Sequence, residues 1–148
     1  MKKMSLLLLM GLYLHALPAP AMEDQGPRVA GGWVREGPPH AMALAAYLRL
    51  RNPGPEPRHL VGVSSPQFSG AMMHATVIEG GIARMRHLDG LDIPGAGEVS
   101  FAPGGRHIML MGPRRELHVG DHIELILKFA DGLLLEVTLP VLRQAPAE

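Results

Sequence analysis

Hydrophobic and polar positions along this chain of 148 residues alternate in short runs, and turn-forming residues interrupt every run. In ALAAYLRLRN, residues 43–52, Leu44, Leu48 and Leu50 alternate with Tyr47, Arg49 and Arg51, and the run stops at the proline and glycine cluster NPGPEP. A period of two is that of a half-buried strand, and Pro-Gly clusters mark its end. The same reading applies to HLVGVSS, AMMHATVI, GIARMRHL, EVSFAP, RHIMLMG, HIELILKF and LLLEVTLP. In VIEGGIA and KFADGLL, Gly80 with Gly81 and Asp131 with Gly132 supply residues suited to the positive φ of tight hairpin loops. No long segment carries a helical period. Seven to nine short strands so spaced predict an all-β, antiparallel β-sandwich or a small Greek-key barrel.

The first segment stands outside that pattern. Lys2 and Lys3 precede the apolar run MSLLLLMGLYLHAL, and Ala19, Pro20 and Ala21 provide small residues at a cleavage spacing. Residues 1–21 therefore read as a secretory signal peptide, and residues 22–148 as one domain with its core at about 33–140. The apolar run is too short for a comfortable membrane span, so no span is expected once it is removed. Retention of the segment as an N-terminal anchor is the other reading.

Composition then narrows the chemistry. The whole chain has equal numbers of basic and acidic side chains, 14 of each, and loss of Lys2 and Lys3 leaves the exported form slightly acidic. With no basic stripe and few aromatics, nucleic acid is excluded as a partner. The chain has no cysteine, which rules out disulfide staples, thiolate catalysis and a blue-copper site. A soft-metal site in this protein must be built from histidine and methionine.

Those donors fall where a strand collects them. In GGRHIMLMG the pleat puts His107, Met109 and Met111 on one face and Ile108 and Leu110 on the other. Met85 and His87 repeat the spacing, as do His40 and Met42, and Met72 shares the parity of His74 while Met73 points to the core. Thioether sulfur is neutral, soft and never protonated, so with imidazole it suits Cu(I) and binds Mg²⁺ or Ca²⁺ poorly. In an oxidising compartment methionine also keeps its donor, where paired cysteines close into disulfides.

The series His74, ten residues, Met85, twenty-one residues, His107, one residue, Met109 resembles the His/Met signature of the periplasmic copper chaperones for the CuA centre, the PCuA(C) family. Similarity to that family extends through AAYLRLRN, LVGVSSP, ARMRHL, LDIPGAGEVSFAPGGRHIMLMG and VGDHIELILKF, from about Trp33 to Leu139. The resemblance implies a cupredoxin-like sandwich that holds one Cu(I) on His74, Met85, His107 and Met109, with Met72, His87 and Met111 as auxiliary candidates. It also implies a periplasmic, non-enzymatic carrier that passes copper to the CuA-bearing subunit of cytochrome c oxidase, directly or through a Sco-type protein. Departures from the pattern are the Ala75 and Thr76 that follow His74, and a tail after Pro140 without His or Met. Arg114 and Arg115 are expected to meet an acidic face of the partner. A second site at His40 and Met42 has only its spacing behind it.

Two other classes remain open on the residues alone. A secreted β-sandwich that binds a protein or carbohydrate without metal expects Met85 and Met109 in the core. A metal hydrolase using His74 and His107 lacks a carboxylate within the His/Met spacing to act as further ligand or base.

Overall fold

The computed structural model describes residues 26–146, so the leader reading of residues 1–21 lies outside the described residues. Ten strands follow in chain order: β1 (Arg28–Arg35), β2 (Ala43–Asn52), β3 (Arg58–Ser64), β4 (Phe68–Glu79) and β5 (Ile82–Leu88). The remainder are β6 (Leu91–Ile93), β7 (Gly97–Phe101), β8 (Arg106–Pro113), β9 (His122–Phe129) and β10 (Leu134–Leu142). Among the described residues no helix is long and apolar enough to cross a membrane.

Hydrogen bonding runs in the order β5-β4-β8-β2-β1-β10-β9-β3-β6, with β7 also paired to β2. One layer holds β5, β4, β8, β2, β1 and β7, the other β10, β9, β3 and β6, and a short parallel contact of Val34 with Val141 and Arg35 with Leu142 joins them. That contact is a departure from the all-antiparallel expectation; every other pairing is antiparallel. Consecutive strands β3 and β4 lie in different layers, and β8 is inserted between β4 and β2, the crossed connectivity of a cupredoxin-like Greek-key sandwich.

One apolar cluster fills the space between the layers. Leu44, Leu48, Leu50, Met73, Ile108 and Leu110 of the first layer meet Leu60, Ile123, Leu125, Leu127 and Phe129 of the second. Full burial of side chains of this size contributes about 1.5–3 kcal/mol each. The alternation read from β2 and β8 therefore has its physical basis here: one parity is buried in the core, and the other is left for chemistry.

Some expectations are corrected. Tyr47, expected on the polar face of β2 with Arg49 and Arg51, is buried, because Trp33 of β1 pairs across from it with ring centroids 4.9 Å apart. The buried apolar side chains run from Trp33 to Val141, which is fully buried, with Val29 packed against them. Strand β1 escaped the pattern because a bulge between Val29 and Gly32, with Gly31 at φ 81°, breaks its alternation. Gly80 and Gly81 both have positive φ, 58° and 79°, as expected, whereas at the second hairpin Gly132 has φ 88° and Asp131 does not share it. There Gly132 N–H donates to the Phe129 carbonyl, so a three-residue loop with one left-handed residue suffices.

Ile108 lies between His107 and Met109 and has no exposed surface. Ile108→Ala is expected to cost about 2–5 kcal/mol in a denaturant melt. A loss under about 1 kcal/mol would contradict a core built on this parity.

Candidate metal centre

Strands β5, β4 and β8 are adjacent, and their register aligns three imidazoles. His74 of β4 is directly opposite His87 of β5 and His107 of β8. The ring centroids are 5.6 Å from His74 to His87 and 5.7 Å from His74 to His107, both in edge-on arrangements. This row follows from local geometry on one side, since the Gly80–Gly81 turn pairs Glu79 with Ile82 and so counts back to His74 with His87. His87, ranked only as an auxiliary donor on the sequence, could have been placed beside His74 by that count.

The thioethers flank the row on both sides. Met72 of β4 pairs with Met109 of β8, two residues from the histidine row toward the start of β4. Met85 pairs with Thr76, two residues from the row toward the hairpin tip. His74 is thus central, with His107 and Met109 toward the middle of the sheet and His87 and Met85 at its edge. Met111 pairs with Gly70 and is four residues from His107 along β8, about 13 Å at the rise of a strand, so the fold does not bring it to the row. Its methyl group instead rests over Gly70, where an added Cβ would meet it at 3.5 Å.

Burial is graded across the face. His107 is 8% exposed, Met109 and His74 are half-buried, and Met85 on edge strand β5 is 55% exposed. A metal-free sandwich with Met85 in its core is inconsistent with that exposure. Met73, of the opposite parity, is buried as expected.

Two of the ring nitrogens have environments that bear on ligation. His107 Nδ1 lies 3.3 Å from the Gly105 carbonyl, which fixes the proton there and leaves Nε2 as the lone-pair donor. His74 Nδ1 is buried and has no hydrogen-bond partner among the described residues. Buried polar atoms are paired in nearly all proteins, so this free nitrogen, like Asn52 Oδ1, is an exception, and here it sits on the face that carries the thioethers. Burial, reinforced by His107 and His87 nearby, holds the His74 pKa below the ordinary imidazole value, so its neutral, ligating form dominates. Among the described residues no three His, Asp or Glu side chains converge on one metal position. A metal on this face therefore draws on sulfur, and the donor set fits a soft monovalent ion better than a hard divalent one.

Other candidates are elsewhere. His40 is at the far end of β8 near a cavity of about 530 Å³, with Nδ1 3.1 Å from Glu116 Oε1, and Met42 is exposed nearby. Neither approaches the histidine row. Arg114 and Arg115 do not flank the site: they follow His107 by seven and eight residues, about 23 Å or more along an extended strand. Arg114 Nε donates to the Pro66 carbonyl, and Arg115 makes two bonds, 3.0 and 3.1 Å, to Asp121. That pair and the His118 amide hold the Asp121 carboxyl down at about 2. Both exposed arginines brace loops away from the histidine row, which corrects their expected position beside the site.

The fold and the His/Met face define a class, the PCuA(C)-type cupredoxin-like domain. The apo PCuAC domain from PmoF1 superposes with a TM-score of 0.66 at 23% identity, over 83% of this chain and 98% of that one, which speaks for the fold. The solution structure of CuI-DR1885 from Deinococcus radiodurans has a TM-score of 0.61 at 34% identity, covering 86% of this chain and 80% of that one. The chain belongs to the family described as "Putative lipoprotein LpqE-like", which matches residues 28–141. It is also 35% identical to "Putative lipoprotein Lxx21020" of Leifsonia xyli subsp. xyli (strain CTCB07), over 92% of this chain and 83% of that protein. A family of lipoprotein-like members is one of exported proteins.

An imidazole NMR titration is expected to place the His74 midpoint below about 6.5. The unfolded chain then takes up this proton at higher pH than the folded chain. Folding stability is untouched by His74 above about pH 6.5 and falls as the pH drops from there toward the folded midpoint. His74→Asn is expected to flatten that part of the stability profile. A midpoint at or above the ordinary value would contradict the burial of this ring.

Proposed function

We propose that this protein is a periplasmic Cu(I) metallochaperone, exported by residues 1–21, that holds one copper ion on His74, Met85, His107 and Met109. The observation that carries the reading is the buried, unpartnered Nδ1 of His74, set between two other imidazoles on a face that also bears Met72, Met85 and Met109. The Cu(I)-bound DR1885 structure, at 34% identity, supports the choice of metal.

The ligands suit carriage. Imidazole and thioether are neutral, so the site gains affinity from softness rather than from charge and discriminates against Zn²⁺, Mg²⁺ and Ca²⁺. Cu(I) has a filled d shell and no strong demand for geometry, which lets an incoming donor add while a resident one leaves. An exposed face permits that approach. The acceptor we propose is the CuA-bearing subunit of cytochrome c oxidase, reached directly or through a Sco-type thiol protein. No catalytic group is needed for such a transfer, and the reading is that of a carrier and not an enzyme.

Anaerobic titration of the purified chain against a chromogenic Cu(I) chelator tests this. One tightly held Cu(I) per chain is expected, with His107→Ala and Met109→Leu each weakening it at least tenfold, about 1.4 kcal/mol or more, while circular dichroism stays unchanged. A wild-type chain that fails to compete for copper, or variants that bind as well as it does, would sink the assignment.

A further inference from the structure

At the end of β8 away from the histidine row, the loops that follow β1 and β8 enclose a cavity of about 530 Å³. Its lining includes the buried side chains of Leu44 and Leu117 together with Pro38, Pro39, Met42 and Pro113. A space of that size, mostly apolar with a few polar groups, is of the kind that small organic ligands occupy. Both loops are tied in place. The Ala41 N–H donates to the Pro38 carbonyl at 3.0 Å, and the Val119 N–H and Arg143 Nε donate to the two carboxylate oxygens of Glu36. Arg115 and the His118 N–H donate to Asp121. His40, which also lines the cavity, has φ 61°, a left-handed conformation that costs a residue with a side chain, and backbone held in such regions clusters at ligand sites. The cavity is therefore preformed, and little ordering is left for a ligand to bring about.

The charges on the lining select the ligand. Glu36 is compensated by Arg143 at 3.1 Å, and Arg115 by Asp121 at 3.0 and 3.1 Å, with a further bond from Arg115 to the Glu116 carbonyl. Among the described residues the Glu116 carboxylate has only imidazoles as partners, His40 Nδ1 at 3.1 Å and His118 Nε2 at 4.0 Å. Its side chain is 54% exposed, so a solvated cation can reach it. We propose that this cavity binds a small organic cation, an ammonium or guanidinium group on an apolar body, with the charge on Glu116 and the body against Leu44, Leu117 and the prolines. A charged donor bonds a carboxylate more strongly than a neutral one does, so the cation displaces His40 from Glu116. An anion of the same shape meets a like charge there and is disfavoured. The proposal is separate from the Cu(I) reading and involves none of its donors.

Three probes of one shape and different charge test this: phenethylamine, 2-phenylethanol and 3-phenylpropionate, each titrated at pH 8 into the chain carrying methyl-labelled methionine and leucine. The NMR signals of Met42, Leu44 and Leu117 are expected to move with phenethylamine, which binds at least about fivefold more tightly than the alcohol, with the carboxylate weakest. Glu116→Gln is expected to bring the amine within about twofold of the alcohol, and Glu116→Lys to make the carboxylate the tightest of the three. Methyl signals that stay fixed with every probe overturn the cavity as a site. Equal affinities for the three probes in the wild type, or an amine preference that survives Glu116→Gln, overturn the role of Glu116. The same Glu116 variants are expected to leave the Cu(I) titration unchanged, and a wild-type chain that holds no copper leaves the probe titrations as decisive as before, so the two readings fail separately.

Discussion

Burial of Met73, Ile108 and Leu110 beneath the pair β4 and β8 is the constraint on which the site depends. These side chains leave the first layer toward the second, and each is at most 2% exposed. Because side chains alternate strictly along a strand, the residues between them, Met72, His74, His107 and Met109, have no choice but the outer face. A slip of one residue in β8 would turn His107 and Met109 inward and Ile108 and Leu110 into water, a penalty of several kcal/mol. Core packing thereby aligns His74 with His107 without any contact between the rings having to do so.

That division of labour explains why the donor face can be so sparsely stabilised. Its nitrogen and sulfur atoms contribute little to folding, and the unpaired His74 Nδ1 is a cost that the apolar cluster between the layers offsets. Strand β5 shows the same economy. All but its last residue are exposed, and its back face carries Arg84 and Arg86 paired to Glu79 of β4. Charges on an edge discourage pairing with other chains, so the strand stays open on the side where Met85 and His87 stand. A site meant to hand over its cargo needs such an edge: ordered by one neighbour and free on the other side.

The electrostatics follow the same logic. The imidazoles and thioethers around His74 carry no fixed charge, and at the edge Asp89 places a carboxylate oxygen 3.4 Å from His87 Nε2. The arginines at the other end of β8 serve loops: Arg115 clamps Asp121, and Arg114 is tied to the Pro66 carbonyl. Between the two ends of β8 the protein therefore separates chemistry from scaffolding. His40 and Glu116 belong to the scaffolding end, where their contact joins two loops over a cavity.

The amino-acid sequence by itself determined the strands and their faces, because the pleat has a period of two and needs no partner to be read; residues 43–52 match β2 end to end. It also determined the donor types and, through the Gly80–Gly81 turn, the pairing of His74 with His87. Local alternation failed where a bulge interrupts it, in β1, and where a distant aromatic covers the outer face, as Trp33 covers Tyr47. Only the tertiary structure decided that β8 inserts between β4 and β2, which brings His107 to His74, leaves Met111 away from the row and places the arginines at the opposite end. Such pairings depend on how two layers close over a shared core, a long-range balance of buried area and chain connection that spacing along the chain does not encode.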